Sequence, residues 1–221
     1  MPSKILRNDS ALRFLAVAGI AAPLLFGVLW VAAGLLRPGY DHIADYGSEL
    51  GAGANAWIMN TNFLLTGLLL VAFSLGLARA LGAGKSARAG PVLVGIFGSG
   101  VFAAGIFSCN PGCPSSGASL SQQMHDIVSI VAFVAIMVAP IVVSLGGKRD
   151  PLWQGYRLYS IATGVAAIAF FFLFFASTQY VGALQRLFIA TPFLWIGVIA
   201  LRLFKVSRLA PPSVPPSSAG P

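Results

Sequence analysis

Six long apolar stretches, separated by short polar intervals, set the pattern of this chain. They cover residues 14–36, 57–78, 91–107, 127–145, 158–181 and 187–204. A helix needs about 20 apolar residues to cross a bilayer, whereas a barrel strand needs only about 10. Backbone groups inside lipid must all be paired, which permits only helices or a closed barrel. The pattern therefore predicts an all-α polytopic membrane protein, a six-transmembrane-helix bundle over residues 1–208.

The end of the chain departs from this pattern. Residues 209–221 read LAPPSVPPSSAGP, which is rich in proline and serine. A segment of this composition has too little apolar surface to form a packed core. We expect a disordered tail, located in the cytoplasm.

Composition agrees with a membrane protein and removes one alternative. Of the 221 residues 57% are hydrophobic and 9% are charged, whereas about 25% of the residues in a soluble domain are charged. The net charge of +8 could indicate nucleic-acid binding. However, twelve of the 14 lysines and arginines lie in the N-terminal segment, the alternate loops or the tail, and only Arg37 and Arg186 lie on the other side.

This positive-inside distribution predicts that both termini are cytoplasmic. We therefore expect a multi-pass protein of the cell's inner (plasma) membrane, with the lipid bilayer as its partner and no nucleic acid. The sequence gives no indication of an oligomeric state.

The longest polar interval, residues 37–62, is the first candidate for functional chemistry. It contains Asp41, His42, Asp45 and Glu49. On an α-helix, the last three of these fall at positions i, i+3 and i+7 and share one face. Such a strip on the outer surface could bind a ligand or carry out acid–base chemistry.

The second and third outer intervals add further polar residues. Cys109 and Cys113 flank an Asn-Pro-Gly turn, and outside the cytoplasm such a pair favours a disulfide. The alternative is a thiolate metal site with His125. The complete set of ligand-binding candidates is Asp41, His42, Asp45, Glu49, Asn62, His125, Asp126, Gln185 and Arg186.

Three functions are compatible with these candidates. The first is binding of a lipid headgroup or small solute, because Arg186 can hold a phosphate or carboxylate in a fork. The second is a metal-dependent membrane-embedded hydrolase, with zinc or another divalent metal held by His42, His125 and either Asp45 or Glu49. The third is a structural membrane protein whose arginines pair with the outer carboxylates and lock the loops.

A further expectation concerns the two histidines. We expect His42 and His125 to face one outward-open cavity together with Asp45 or Glu49 and Arg186, because the outer face carries more acids than cations and shared burial would provide the acids with partners. The catalytic residues are unknown, so whether the protein is an enzyme is open. A nucleophile pair of Ser48 or Ser108 with His125 is the alternative to metal catalysis.

Four short motifs carry a resemblance to a known family. They are HIADYGSELG at residues 42–51, NTNFLLTG at 60–67, GIFSCNPGCP at 105–114 and GALQRLF at 182–188. In this order, with His125 and Trp195, they resemble the prokaryotic six-helix integral membrane family designated domain of unknown function 998. The resemblance spans nearly all the chain apart from its basic head and its tail. It implies six helices and an outer polar cluster, and it implies no activity.

The predicted topology can be tested with reporter fusions. Fusions at Lys85 and Lys148 should report a cytoplasmic location, and fusions after Gly51 and Ser116 an external one, because the cationic loops are retained inside. Opposite readings at these positions would overturn the predicted orientation.

Overall fold

The computed structural model describes residues 9–81, 84–114, 119–147 and 151–208. These residues form helices and connecting loops without any strand, so the predicted all-α fold is confirmed over the part of the chain that they cover. The predicted disordered tail lies outside the described residues, as do residues 1–8. The helices are α1 (Ser10–Leu35), α2 (Ala56–Ala80), α3 (Lys85–Ala104), α4 (Leu120–Gly146), the short α5 (Pro151–Gln154), α6 (Arg157–Ala176) and α7 (Val181–Ser207), with a 3-10 helix at Gly47–Gly51.

Six of these helices, all except α5, are long and apolar enough to cross a membrane. Their ends differ from the ends of the apolar stretches. For example, α4 begins at Leu120 rather than 127, because the Ser119 hydroxyl caps it by accepting a hydrogen bond from the Gln122 N–H at 3.2 Å. Polar capping residues lie outside an apolar stretch, so hydropathy alone places helix ends poorly.

The six long helices form a ring in the order α1, α2, α3, α4, α6 and α7, in which α7 also packs against α1. Short connections favour antiparallel neighbours, and the ring follows from that rule. Aromatic side chains meet one another in its interior. Phe26 of α1 stacks on Phe193 of α7 with ring centroids 4.6 Å apart, and Phe97 of α3 meets Phe193 edge to face at 5.7 Å. The loops after α1, α3 and α6 lie together at one end of the ring, here called the polar end.

Neighbouring helices approach most closely where glycine removes a side chain. A methyl group at Gly67 of α2 would lie 2.5 Å from the Phe102 nitrogen and 2.7 Å from the Gly98 oxygen, both on the α3 backbone. Small residues permit this close contact between membrane helices.

Polar side chains also join helices inside the ring. The fully buried Asn62 of α2 donates from Nδ2 to the Phe26 carbonyl of α1 at 3.0 Å, and its Oδ1 accepts from Thr66 at 3.1 Å. In α6 and α7, Trp195 donates to the Ser160 hydroxyl at 2.9 Å. Asn62 therefore has its partners within the bundle and serves as an interhelical contact.

We expect Gly67→Ala to lower the midpoint of thermal unfolding in detergent. The added methyl group meets backbone atoms, which cannot rotate away, and overpacking of this kind costs about 1–3 kcal/mol. Gly27→Ala is the matched control, because a methyl group there has no neighbour within 4 Å. Equal midpoints for the two variants would contradict the close α2–α3 contact.

Candidate functional site

The first polar interval is not the α-helix on which its candidates would share a face. Residues 42–44 form turns and the 3-10 helix Gly47–Gly51 follows. Asp41 Oδ1 accepts from the Ile43 N–H at 2.7 Å, and Asp45 Oδ2 accepts from the Asp41 N–H at 2.8 Å. Aspartate side chains compete for backbone N–H groups in this way and favour turns over helix. Both carboxylates are therefore engaged in shaping the loop.

This loop is attached to the beginning of α7. The Ala183 N–H donates to the Ile43 carbonyl at 3.0 Å. Gly182 lies directly against the carbonyl oxygens of the loop, and a methyl group there would overlap the Asp45 oxygen. The first N–H groups of a helix have no partner within the helix, and here a loop carbonyl supplies one.

Arg186 completes this attachment of the loop to α7. We call the hydrogen bonds that join residues 40–47 to α7 the Arg186 strap. Its Nη1 donates to the His42 carbonyl and, at 2.9 Å, to the Gly182 carbonyl. Its Nη2 donates to the Tyr40 hydroxyl at 2.7 Å and to His42 Nδ1 at 3.2 Å. The guanidinium also lies 4.9 Å from the centroid of the Trp30 ring, in cation–π contact. All these partners are uncharged.

The hydrogen bonds of the strap determine the tautomer of the neutral His42 ring and the roles of the Tyr40 hydroxyl as donor and acceptor. A guanidinium only donates, so His42 Nδ1 accepts and the neutral ring carries its proton on Nε2. Burial raises the pKa of the Tyr40 phenol, and the Arg186 guanidinium partly opposes that rise. The phenol is therefore protonated at neutral pH, and it donates to the Tyr46 carbonyl at 3.2 Å while it accepts from Arg186.

The arginines lock the loops through carbonyl oxygens rather than carboxylates. Arg37 Nη1 donates to the Ala54 carbonyl at 2.8 Å and to the Ala52 carbonyl. In the part of the chain that the structure describes, neither Arg37 nor Arg186 is ion-paired with an aspartate or glutamate. The expected pairing of arginines with carboxylates is therefore not seen, because unpaired loop carbonyls take these donors instead.

A cavity of about 310 Å³ lies inside the ring near the polar end, and all six long helices contribute to its wall. We call it the polar-end cavity. Its wall is mainly apolar and includes the aromatic side chains of Phe26, Phe97, Phe133, Phe174 and Phe193. Its polar side chains include Ser48, His125, Asp126, Ser129 and Gln185. Among the described residues, no arginine or lysine lines this wall.

His125 and Gln185 each use one polar atom to hold their position and present a second one to the cavity. His125 Nδ1 donates to the Phe107 carbonyl at 2.8 Å, and Gln185 Oε1 accepts from the Gly47 N–H at 2.6 Å. The two side chains are only 5% and 4% exposed. Among the described residues, the Nε2 atom of neither side chain has a hydrogen-bond partner.

Asp126 is held at the edge of the cavity by the loop after α3. Gln122 Nε2 donates to Asp126 Oδ1 at 2.9 Å, while Gln122 Oε1 accepts from the Asn110 N–H at 2.7 Å. This carboxylate gives the wall of the cavity a negative charge.

The structure places three of the sequence candidates at the polar-end cavity and the others elsewhere. The polar-end cavity contains His125, Asp126 and Gln185; its wall does not include the remaining candidates, which are Asp41, His42, Asp45, Glu49, Asn62 and Arg186. The single cavity expected for both histidines is therefore not this one. Sequence reasoning also missed Tyr40 and Trp30, although an aromatic residue near a partly buried arginine is a recognisable signal.

The residues proposed for catalysis are not assembled in the described part of the chain. No group of three or more histidine, cysteine, aspartate or glutamate side chains there is close enough to hold a metal ion. Ser48 lines the cavity, but its hydroxyl contacts Cys113 Sγ at 3.5 Å. The Ser108 hydroxyl donates to Asn60 at 3.3 Å. Neither serine is hydrogen-bonded to His125.

The predicted disulfide is confirmed. Cys109 and Cys113 are joined, with their Cα atoms 5.2 Å apart, and the turn between them contains Gly112 at φ +76°. Because the sulfurs are bonded to each other, they do not form the alternative thiolate site. The bridge holds Cys113 at the wall of the cavity.

We expect Arg186→Lys to loosen the strap. An ammonium group cannot reproduce the forked donation of a guanidinium, and the loss of charged hydrogen bonds costs about 2 kcal/mol. Amide hydrogen exchange in residues 40–51 should be faster than in the wild type. Arg79→Lys, at an exposed position of α2, is the control and should exchange as the wild type does. Unchanged exchange in both variants would refute the strap.

Comparison with known proteins identifies a family for this chain. The model of the family described as protein of unknown function (DUF998) matches residues 20–202, which is most of the chain. No curated protein and no solved structure matches. With six helices able to span a membrane and a family match of this extent, the chain belongs to the DUF998 family of multi-pass membrane proteins.

Proposed function

We propose that this protein binds a small solute or the headgroup of a lipid in the polar-end cavity. The observation that carries the proposal is that the buried side chains of His125 and Gln185 line the cavity while their Nε2 atoms have no hydrogen-bond partner among the described residues. Neither of these atoms is fully enclosed by protein, unlike Nε1 of Trp30 and Nε1 of Trp153. An occupant of the cavity with a matching polar group could therefore hydrogen-bond to them.

The size and composition of the cavity support binding. Ligand pockets measure about 300–1,000 Å³ and are mostly apolar with a few placed polar groups. At about 310 Å³ this cavity falls at the lower end of that range of volumes, and its wall is mainly apolar. It therefore suits one small molecule or one part of a larger amphiphile.

The two free atoms define the polar group that would fit. Because His125 Nδ1 donates to a carbonyl oxygen, Nε2 of the neutral ring is an acceptor. The Gln185 Nε2 amide is a donor. A ligand group that both donates and accepts, such as a hydroxyl or an amide, would satisfy both atoms. Binding is favoured over hydrolysis, since no serine of the cavity is hydrogen-bonded to His125 among the described residues.

Two substitutions of His125 separate binding from folding. An asparagine amide reaches the position of Nδ1 and can retain the bond to Phe107, but it removes Nε2. A glutamine amide reaches the position of Nε2 and gives up the Nδ1 bond. We therefore expect His125→Asn to bind the occupant about tenfold more weakly, which corresponds to ~1.4 kcal/mol of binding free energy. His125→Gln should retain more of the occupant but should be less stable to unfolding than His125→Asn.

The measurement is native mass spectrometry of protein released from copolymer nanodiscs cut directly from the producing membrane. The wild type should carry a bound small molecule in a defined ratio, and organic extraction should identify its mass. The proposal fails if the wild type carries no such molecule, or if both variants carry as much as the wild type.

A further inference from the structure

Four side chains of the polar-end cavity wall are exposed at the protein surface, whereas most of the wall is buried or half-buried. Pro114 is exposed in the loop at the polar end. The other three lie on adjacent helices of the ring: Asp126 and Ile130 on α4, and Phe175 on α6, where Ile130 is 44% and Phe175 60% exposed. These three residues bring the wall of the cavity to the side of the bundle between α4 and α6, a place that we call the side opening.

The packing of α4 against α6 differs between two levels of the bundle. Farther from the polar end the two helices are close, because a methyl group at Gly164 of α6 would lie 2.5 Å from the Ile141 side chain and 3.1 Å from the Met137 carbonyl of α4. Nearer the polar end, large rings stand between them, with the centroids of Phe133 and Phe171 6.3 Å apart. Glycine at one level lets the two backbones approach closely, whereas two phenylalanine rings at the next level occupy the space between them.

The surface around the side opening is apolar. Ile127 and Val131 of α4 are 58% and 52% exposed, and Phe172 of α6 is 67% exposed. An exposed apolar surface on a helix that spans a membrane faces lipid. Asp126 lies six residues into α4, about 9 Å along the helix axis, which is close to the interface. The side opening therefore faces lipid, and the Asp126 carboxylate lies at its edge.

Charge restricts the headgroup that can enter. In the part of the chain that the structure describes, the cavity wall includes the Asp126 carboxylate and no lysine or arginine. Arg186, the nearest candidate for holding an anion, is bound to four uncharged acceptors in the strap. A phosphate or carboxylate head would meet a like charge without compensation. A hydroxyl, amide or ammonium head would instead donate to Asp126 and to His125 Nε2.

From the side opening, the apolar wall and the single carboxylate, we infer that the occupant is a single-chain amphiphile with an uncharged or cationic head, which enters from the bilayer between α4 and α6. This inference rests on the proposed function. The head of the amphiphile lies at His125, Asp126 and Gln185, and its chain lies along the apolar wall towards Phe97 and Phe193. A volume of about 310 Å³ leaves room for one chain rather than two.

Photolabelling with two probes of equal chain tests the identity of the head. The probes are a monoacylglycerol and a lysophosphatidic acid, each with a diazirine in the acyl chain, in phosphatidylcholine nanodiscs that contain the protein. The readout is labelling of Phe97 and Phe193, which are 3% and 5% exposed and face the ring interior. We expect the monoacylglycerol to label them about tenfold more than the lysophosphatidic acid. Equal labelling would overturn the assignment of the head.

A pair of variants tests the route. Ile130→Trp places a large ring at the side opening, while Leu145→Trp places the same ring at a position of the same helix that is equally exposed, at 44%, but lies near the end away from the polar end. We expect interior labelling by the monoacylglycerol to fall about tenfold in the first variant and to stay at the wild-type level in the second. Wild-type labelling in both variants would overturn the lateral route.

These outcomes are independent of the test of the proposed function. If His125→Asn still loses a bound molecule while the monoacylglycerol fails to label the interior, the cavity binds a solute that arrives from the polar end, and the inference fails alone. If the histidine variants carry as much as the wild type, the proposed function itself fails.

Discussion

The first two turns of α7 hold the polar end of this protein together. Unpaired N–H groups there need acceptors, and the carbonyls of the loop after α1 need donors. Ala183 supplies a donor from the backbone, and Arg186 supplies a charged fork. Gln185, one residue earlier, accepts from Gly47 and faces the cavity. The fixed position of the loop and the wall of the cavity therefore depend on the same short stretch of helix.

The positive charge of Arg186 is kept apart from the negative charge of the cavity. Trp30 contacts both places: its ring is in cation–π contact with the guanidinium, and the same side chain lines the polar-end cavity. One face of an aromatic ring can attract a cation while the rest of the ring presents apolar surface. Among the described residues the cavity wall carries Asp126 and no lysine or arginine, which is why the proposed occupant donates hydrogen bonds.

The spacing of neighbouring helices follows from residue size around the ring. The contact between α2 and α3 is close because Gly67 lies on the α3 backbone. The backbones of α4 and α6 approach closely at Gly164, and the rings of Phe133 and Phe171 lie between the two helices nearer the polar end. Interiors pack closely, so the distribution of small and large side chains determines where neighbouring backbones can approach.

The sequence by itself determined the six helices and the disulfide, because the length of an apolar stretch and the spacing of two cysteines around a turn are local properties. It did not determine which polar residues meet. Asp41 and Asp45 satisfy backbone groups of their own turn, and His42 turns to Arg186 while His125 faces the cavity. Those choices depend on the order of helices in the ring and on carbonyls left unpaired by the loops, which exist only once distant segments have packed.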